Sequence, residues 1–410
     1  MKISLIQPGR NNLKYLKWSY DSIRKNQGGK HEVEICVADD FSNDGTWDWC
    51  KEMMNTDSNF AAIRNDGPTR LGHTILYDRL VNEVATNDVC MIYHADMYLM
   101  PGALDQIEHK LEDKTIVSLT RIEPPLHPDG PEKMLMDFGI EPEEFREEEL
   151  LSWFKDVQLQ QLTKTTEGIF APWAFYKKDF QEIGGHDPLY APQSKEDSDI
   201  FNRFQLNGIK FKQTCGGCVY HMTCRGSRFA DGAVRNPDGE VFMKNRETDE
   251  WLIQNQKATR NFIRKWGHFV KHDQFLKPII PPKYDIGFIF KNGDSNFRND
   301  LELLALLEPW CSTIYVDTGL LQDYIQTEQP NTIMNLHDRV KPLDNEKNNE
   351  ILVTIDENKF DNEDFRFIQN FSEILANDKD LEIGEFQLGN LSIEILQLNT
   401  YEKDLIICKS

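Results

Sequence analysis

The chain has 410 residues and a formal net charge of -22, from 68 acidic and 46 basic residues. Two domains are the default for this length, and a 39% share of apolar residues is enough for a sizeable core. An acidic surface repels nucleic acid and anionic lipid. It does not exclude a phosphate ligand that reaches the protein through a bridging cation, because the cation reverses the local field.

The charge is concentrated towards the C-terminal end. Residues 284–410 contain 25 acidic and 10 basic residues, a net charge of -15, whereas residues 1–283 have a net charge of -7. No apolar run approaches the length of about 18 residues that a membrane span needs, and the apolar stretch after Met1 is too short for a signal peptide. Eight cysteines are too few for a disulfide scaffold, so we expect reduced thiols and a cytoplasmic protein.

Strands and helices alternate over the first 120 residues. The predicted strands are Lys2–Gln7, Val33–Ala38, Phe60–Arg64, Val89–Tyr93 and Thr115–Thr120. The predicted helices begin near Leu13, Trp47, Gly72 and Pro101. This alternation predicts βαβ units, and therefore an α/β fold with a mostly parallel sheet.

The rest of the chain divides at changes in composition. Residues 123–165 are rich in proline and acidic residues and interrupt the pattern, so we predict an insertion or a lid there. A helix at Asp197–Leu206 and a strand at Ile209–Gln213 follow. We predict a first domain over 1–250, a helical connector over 251–283, and a smaller acidic α/β domain of unassigned role over 284–410.

The run Arg260–Trp266 has basic and aromatic residues interleaved, which is one pattern of a nucleic-acid patch. Its helical spacing favours packing instead, with an apolar face formed by Phe262, Ile263 and Trp266. The basic residues would then face solvent or the acidic second domain. In so acidic a chain we prefer the packing interpretation, with this helix bracing the two domains.

Polar residues follow three of the predicted strands. They form the segments Pro8-Gly9-Arg10, Asp39-Asp40 and His94-Ala95-Asp96. Ligands of open α/β sheets bind beyond the carboxyl ends of the strands, so these segments predict one shared site. Each segment also has a structural interpretation, because Asp39 and Asp40 favour a helix start and Asp96 is able to cap the next helix.

Two later segments also have residues suited to catalysis. Glu196 and Asp197 open a predicted helix, where an ionised carboxylate is either a helix-start residue or a general base. His221 lies near Arg225 and Arg228 in a segment that is either a surface loop or a site for metal and diphosphate.

In this order and spacing, the four motifs resemble the family-2-type inverting glycosyltransferases with the GT-A fold. The segment Asp39–Thr46 matches that family's Asp-Asp-x-Ser-x-Asp-Gly-Thr signature at every fixed position. The segment His94–Asp96 matches its Asp-x-Asp motif, with His in the place of the first Asp. Glu196-Asp197 matches the Glu-Asp motif and His221 the late metal-binding His, so the resemblance covers about residues 1–230.

The resemblance implies transfer of a hexose from a UDP- or GDP-type nucleotide sugar to an acceptor hydroxyl, with inversion. It implies that Asp197 is the base, with Glu196 beside it, and that Mn²⁺ or Mg²⁺ binds to Asp96 and His221. Donor contacts would come from Pro8, Gly9, Arg10, Asp39, Asp40, His94 and Ala95. The family's usual Arg-Asn helix is replaced here by Tyr77-Asp78, so Arg64, Arg70 or Arg225 would take over the phosphate contacts.

The acceptor is less well defined by the sequence. A glycan, a lipid-linked glycan or a protein is compatible with it, and the acidic balance disfavours nucleic acid. We expect Trp173 and Gly185 near the acceptor, because an indole ring stacks well on a sugar. A core position is the alternative for Trp173.

Three alternatives remain open at this stage. A nucleotidyltransferase would also combine an α/β site with metal carboxylates, but the segment after the first strand is a poor phosphate loop. A catalytically silent protein that binds sugars or nucleotides is the second. The third is a zinc site formed by Cys215, Cys218, His221 and Cys224, whose spacing matches no strong zinc pattern.

Overall fold

The computed structural model describes residues 1–225, 228–229, 231–245, 247–291, 297–378 and 382–408. The chain divides into two compact units. The first unit comprises Met1–Ile253, His272–Pro278 and Cys408–Ser410, and the second comprises Gln254–Lys271 and Ile279–Ile407. Among the described residues, no helix has both the length and the apolar content to cross a membrane.

The first unit contains twelve strands and seven complete helices among its described residues. The strands are β1 (Lys2–Gly9), β2 (Glu32–Asp40), β3 (Phe60–Asn65), β4 (Val89–Ile92), β5 (Met97–Leu99), β6 (Thr115–Glu123), β7 (Lys133–Leu135), β8 (Thr165–Thr166), β9 (Trp173–Tyr176), β10 (Lys210–His221), β11 (Ala233–Arg235) and β12 (Val241–Met243). The helices are α1 (Leu13–Asn26), α2 (Thr46–Thr56), α3 (Gly72–Arg79), α4 (Ala103–Lys110), α5 (Glu147–Gln161), α6 (Lys177–Glu182) and α7 (Glu196–Leu206).

The main sheet of this unit has the strand order β3-β2-β1-β4-β9-β6-β10-β5. Strands β3, β2, β1 and β4 are mutually parallel, and β9 pairs antiparallel with both β4 and β6. Strand β1 is buried continuously from Ile3 to Pro8, as expected of a central strand with both faces covered. The predicted fold class is confirmed, because a GT-A-type α/β unit is joined to a smaller α/β unit.

Strand register brings the polar strand ends together. Gly9 lies opposite Asp39 where β1 pairs with β2, and Asp39 lies opposite Arg64 where β2 pairs with β3. On the other side of the sheet, His221 lies opposite Met97 in the antiparallel pair of β10 and β5. The last residue of β10 therefore lies beside the loop that follows β4.

Strands β10 and β9 are the longest and the most central of the strands that differ from the sequence predictions. The strand predicted at Ile209–Gln213 continues as β10 to His221, across an irregularity between Thr214 and Cys218. Two consecutive glycines obscure the strand pattern there. Strand β9 was not predicted, because its residues follow a proline and show no polar alternation. It is nevertheless a central strand of the sheet.

The predicted connector over 251–283 is not a separate segment. Helix α8 (Asp249–Trp266) begins in the first unit and continues into the second, and residues 272–278 belong to the first unit again. The predicted insertion at 123–165 contains β7 and α5, and β7 pairs in parallel with β6. Its β7 strand is therefore part of the main sheet.

The second unit has the sheet order β15-β14-β13-β16-β18-β17. Its strands are β13 (Ile286–Lys291), β14 (Thr313–Val316), β15 (Val340–Pro342), β16 (Ile351–Asp356), β17 (Gly384–Leu388) and β18 (Leu391–Ile395). Its helices are α9 (Phe297–Leu307), α10 (Thr318–Glu328), α11 (Leu336–Arg339), α12 (Asn362–Gln369) and α13 (Phe371–Asn377). Helices α12 and α13 follow each other closely and separate at Asn370.

The part of α8 that belongs to the second unit packs through the apolar face that the sequence predicts. Phe262, Ile263 and Trp266 are buried. Arg264 is fully buried and pairs with Glu308 at 2.7 Å and with Glu328 at 2.8 Å. Burial alone would raise the pKa of Glu308, but the neighbouring arginines lower it to about 2. The basic residues of this helix are therefore used in packing within the second unit.

Arg264→Met should destabilise the second unit by about 3 kcal/mol, because it removes a buried cation that faces two buried carboxylates. Hydrogen exchange of the β13 and β16 amides measures this unit separately. Lys359→Met is the matched control, because Lys359 is exposed and pairs only within its own turn with Asp356. Equal exchange rates in the two variants would contradict the structural role of this ion cluster.

Candidate active site

A cleft of about 580 Å³ lies at the carboxyl ends of the strands in the first unit. Its lining includes Pro8, Gly9 and Arg10 after β1, and His94, Ala95 and Asp96 after β4. His221, Arg225 and Glu196 also line it. Segments that lie far apart in the sequence therefore meet at one site.

His94, Asp96 and His221 form a group with metal-binding geometry. One potential ligand atom from each residue lies within 4.8 Å of the others. The Nε2 atom of His221 lies 3.3 Å from Oδ1 of Asp96, and the rings of His94 and His221 are 5.7 Å apart. Two imidazoles and one carboxylate are common ligands of first-row transition metals, so these residues fit a divalent cation.

Glu123 fixes the orientation of His221. The Nδ1 atom of His221 lies 2.7 Å from Oε1 of Glu123, which leaves Nε2 directed at Asp96. Glu123 is itself paired with Arg121 at 3.1 Å and with Lys133 at 3.7 Å. Carboxylate–histidine pairs of this kind set the tautomer and orientation of metal-binding histidines.

The pKa values of this group follow from its opposite charges. Burial would lower the pKa of His221, but Asp96 and Glu123 raise it to about 9. Burial would raise the pKa of Glu123, but His221 and Arg121 lower it to about 2. The pKa of Asp96 also lies below its ordinary value, because His221 and His94 outweigh the effect of burial.

His94 behaves differently from His221. Its burial, and next the positive charge of His221, lower its pKa to about 3. A neutral imidazole has a free lone pair for a metal ion. The sequence assigned His94 to donor binding and the metal to Asp96 and His221, whereas the structure places all three residues in one group.

Asp39 and Asp40 do not line this cleft, and both are buried. Asp40 accepts hydrogen bonds from the backbone N–H groups of Leu71 and Gly72, at 3.2 and 2.9 Å. It therefore holds the loop before α3 against the sheet. Asp39 accepts the N–H of Ser42 through Oδ1, and its buried Oδ2 has no hydrogen bond among the described residues. Oδ2 instead forms an ion pair with Nε of Arg64 at 3.4 Å.

Gly72 is required by the close approach of two backbones. Its φ is 71°, and an added Cβ would lie 2.1 Å from the carbonyl oxygen of Pro192. Residues 191–195, just before α7, therefore pack tightly against the start of α3. The two hydrogen bonds to Asp40 thus also determine where the residues before Glu196 lie.

The three arginines expected at the donor phosphates have different positions. Arg70 and Arg225 line the cleft, and Arg64 does not. Arg64 lies 3.4 Å from Asp39 and contacts the face of Trp47, so its side chain is already engaged by protein groups. Of these three arginines, Arg70 and Arg225 are therefore the two that lie at the cleft.

Glu196 and Asp197 are the first residues of α7, and of the two Glu196 is among the residues that line the cleft whereas Asp197 is not. Glu196 lines the cleft, and its buried Oε2 forms no hydrogen bond with any residue that the structure describes. Burial, and next the charge of Asp197, raise the pKa of Glu196. Burial also raises the pKa of Asp197, but His186 and Arg121 act in the opposite direction. Asp197 is therefore the member of the pair that ionises first.

Trp173 is not at the acceptor position that we expected. Its side chain is fully buried and packs against Phe175, Phe201 and Phe204, with ring centroids 4.7 to 5.8 Å apart. A sugar ring has no access to this indole. The sequence could not distinguish the two positions, because an aromatic residue before a glycine turn is common in both.

Gly185 is also a structural residue. Its φ is 68°, an added Cβ would lie 2.1 Å from Oδ2 of Asp78, and its carbonyl oxygen accepts a hydrogen bond from Arg203 at 2.6 Å. The expectation that it contacts an acceptor is therefore not supported. The turn serves to hold His186, whose Nδ1 lies 2.7 Å from Asp78.

The zinc alternative lacks the geometry that it needs. The metal-binding groups found among the described residues contain no cysteine, and all eight cysteines are free. Cys218 is buried in β10, and its thiol lies 3.6 Å from the carbonyl oxygen of Cys215. Two residues of the Tyr220–Arg228 segment, Gly226 and Ser227, lie outside the described residues.

Several residues of the cleft were not predicted. They share a position on loops or helix starts with no motif around them, and they include Tyr15, His73, Gln193, Phe229 and Trp251. The sequence analysis had named Arg228, together with His221 and Arg225. It had no motif that includes Trp251.

Comparison with known proteins gives one family profile that matches part of the chain. The sequence profile of glycosyl transferase family 2 matches residues 4–184. No curated protein matches the chain.

Among solved structures, the chain is similar to S. aureus TarS 1-349 in complex with UDP, with 16% identity over 54% of this chain and 60% of that chain and a TM-score of 0.39. It is also similar to the mannosyltransferase PcManGT of Pyrobaculum calidifontis in complex with GDP-Man and Mn²⁺, with 13% identity over 64% and 63% and a TM-score of 0.41. The third is GalNAc-T7 with UDP, GalNAc and Mn²⁺, with 12% identity over 65% and 51% and a TM-score of 0.44. The chain thus spans less than two thirds of each of these chains.

Glu196→Gln should stabilise the first unit, and the gain should grow as the pH rises. A carboxyl whose pKa is raised on folding contributes stability that is present below its unfolded pKa and is lost as the pH rises through its folded pKa. The amide in the variant cannot ionise, so the variant avoids this loss. Hydrogen exchange of the β1 and β6 amides, at about pH 5.5 and about pH 8.5, measures the difference.

Glu83→Gln is the control for this experiment, because Glu83 is half-exposed and pairs only with Arg79 on its own helical segment. The control should show a small effect that changes little with pH. The prediction would be wrong if the stability of Glu196→Gln, relative to the native chain, fell as the pH rises. That result would show that the fold stabilises the ionised form of Glu196.

Proposed function

We propose that this chain transfers a sugar from a nucleotide-diphosphate sugar to an acceptor hydroxyl with inversion, and the match of residues 4–184 to the glycosyl transferase family 2 profile supports this proposal. The observation that carries the proposal is the group His94, Asp96 and His221, which opens onto the same cleft as Glu196. A cation-binding group and a carboxylate pair are the two parts that such a transfer needs on either side of the anomeric carbon.

The donor would lie along the strand ends. Pro8, Gly9 and Arg10 line the part of the cleft after β1. Oδ2 of Asp39 forms no hydrogen bond among the described residues and is paired with Nε of Arg64 at 3.4 Å, so it would accept a base or ribose donor in addition to that ion pair. Arg70 and Arg225 would bind the phosphates, because guanidinium groups match phosphate oxygens geometrically.

A divalent cation would be held by His94, Asp96 and His221. When bound, it would neutralise the charge that develops on the leaving diphosphate. Mn²⁺ fits this group better than Mg²⁺, because Mg²⁺ prefers oxygen ligands in an octahedral shell and two of the three ligands here are imidazole nitrogens.

The acceptor hydroxyl would be activated by Asp197. Its carboxylate accepts the hydroxyl proton as the acceptor oxygen forms a bond to the anomeric carbon. The bond between that carbon and the diphosphate oxygen breaks, and the diphosphate leaves with the electron pair. One base and an attack from the face opposite the leaving group give inversion. His186 and Arg121 favour the ionised form of Asp197 that this step requires.

A thermal-shift screen identifies the donor nucleotide. UDP, GDP, CDP and dTDP are compared with and without Mn²⁺, and one nucleotide should raise the melting temperature only when the metal is present. Chelation or Asp96→Ala should remove that stabilisation. A shift that is unchanged by both treatments would contradict the metal site.

Asp197→Asn should lower the rate of sugar transfer by about 10²–10⁴-fold while nucleotide affinity persists, because the base is lost and the donor site is not. Donor turnover with the nucleotide sugar selected by the screen measures the rate. Asp48→Asn is the matched control and should retain full activity, because Asp48 is exposed on α2, pairs with Lys51 and does not line the cleft. Full activity of Asp197→Asn would refute the base assignment.

His94→Asp should shift the metal preference from Mn²⁺ towards Mg²⁺, because it replaces a nitrogen ligand by an oxygen ligand. Titration of each metal into the protein saturated with nucleotide measures the two affinities. His109→Asp is the control, because His109 is exposed on α4 and contacts only its own helix. An unchanged ratio of affinities in His94→Asp would show that His94 does not bind the metal.

A further inference from the structure

The carboxylate of Glu141 lies among three groups that suit an anion. Its Oε2 atom accepts a hydrogen bond from the hydroxyl of Tyr15 at 2.7 Å and lies 2.5 Å from Nζ of Lys14. Its Oε1 atom lies 3.5 Å from Nη2 of Arg225. A hydroxyl, an ammonium and a guanidinium group are also the donors that phosphate oxygens accept. Glu141 therefore fills a site that has the chemistry of a phosphate site.

This site adjoins the cleft and is open to solvent. Tyr15 and Arg225 both line the cleft, and a neighbouring cavity of about 430 Å³ is lined by Lys14 and again by Tyr15. The side chain of Glu141 is 31% exposed and that of Lys14 is 49% exposed. A ligand in the cleft is therefore able to reach these groups from solvent.

The backbone before Glu141 is anchored, so a ligand would displace only the side chain. Phe138 and Ile140 are buried. The hydroxyl of Tyr220 accepts the N–H of Phe138 at 3.0 Å and donates to the carbonyl oxygen of Gly139 at 2.6 Å. Rotation about the side-chain bonds of Glu141 moves its carboxylate into solvent without breaking these contacts.

The ion pairs of Glu141 are of a kind that is easily exchanged. Partly exposed ion pairs contribute little to stability, because water solvates both partners. A diphosphate has more negative charge and more acceptor oxygens than a carboxylate, and charge-assisted hydrogen bonds are the strong ones. The same three donors therefore favour a diphosphate over the side chain of Glu141.

We propose that Lys14, Tyr15 and Arg225 form an anion site that Glu141 fills, and that the diphosphate group of the donor displaces Glu141 when it binds. This inference rests on the proposed function and adds Lys14 and Tyr15 to the donor contacts. The carboxylate is a competitor built into the chain. It lowers the affinity of the site for every anion, so the ligands that bind are those with further contacts to the cleft, through a base or a bridging metal.

The test measures the binding of pyrophosphate to the full chain by calorimetry, without added metal, so that the metal-binding group does not contribute. Glu141→Gln should raise the affinity by about fivefold, which is the size expected when partly exposed ion pairs no longer compete. The amide oxygen of the variant still accepts the hydroxyl of Tyr15, so the fold should persist. Glu143→Gln is the matched control, because it removes the same charge from an exposed side chain two residues away. It should leave the affinity unchanged.

Lys14→Gln, added to Glu141→Gln, should cancel the gain, because it removes one of the groups that bind the anion. Lys17→Gln in the same background is its control, because Lys17 is exposed about one turn further along α1. It should keep the gain. The nucleotide that the thermal-shift screen selects, titrated in the presence of Mn²⁺, should show the same order of affinities as pyrophosphate.

Three results would overturn the inference. They are equal pyrophosphate affinity in Glu141→Gln and Glu143→Gln, a gain that survives the loss of Lys14, and a gain for pyrophosphate without one for the nucleotide, which would separate this site from the donor. A chain that binds no nucleotide in any variant would instead contradict the proposed function. Nucleotide binding that is equal in Glu141→Gln and Glu143→Gln would contradict only this inference.

Discussion

The site depends on one imidazole ring held between two carboxylates. His221 lies 2.7 Å from Glu123 on one side and 3.3 Å from Asp96 on the other. Glu123 stays ionised in a buried position because Arg121 and Lys133 face it. Without that pairing, a buried carboxylate would protonate and the ring would lose its fixed direction. Strand pairing brings the three residues together, since Glu123 ends β6, His221 ends β10, and Asp96 precedes β5.

A second constraint acts through Asp40. Its carboxylate accepts two backbone N–H groups of the loop before α3, and Gly72 in that loop packs against Pro192. The loop before α7 is thereby positioned, and with it Glu196 at the cleft. The signature aspartates therefore contribute to the site in different ways. Asp40 fixes the loops, and Asp39 pairs with Arg64 at the end of β2.

The sequence predicted those parts of the molecule that depend on residues close together in the chain. Alternating strands and helices gave the α/β class, and residues after strand ends gave most of the donor side of the cleft. Trp173 was placed wrongly, because burial depends on what packs on both faces of β9, a strand with no local pattern. Trp251 and Arg228 were not recognised as a pair, because their contact joins a loop to the start of a helix. His94 joined the metal-binding group for a similar reason, since its distance to His221 depends on the pairing of β10 with β5.

The central claim is that His94, Asp96 and His221 together bind the metal of the donor complex. Electron spin echo modulation of Mn²⁺, bound with the selected nucleotide, detects nitrogen nuclei coordinated to the metal directly. We expect modulation from two imidazole nitrogens in the native chain and from one in His94→Asp. A Mn²⁺–nucleotide complex that binds with no nitrogen modulation would contradict the account.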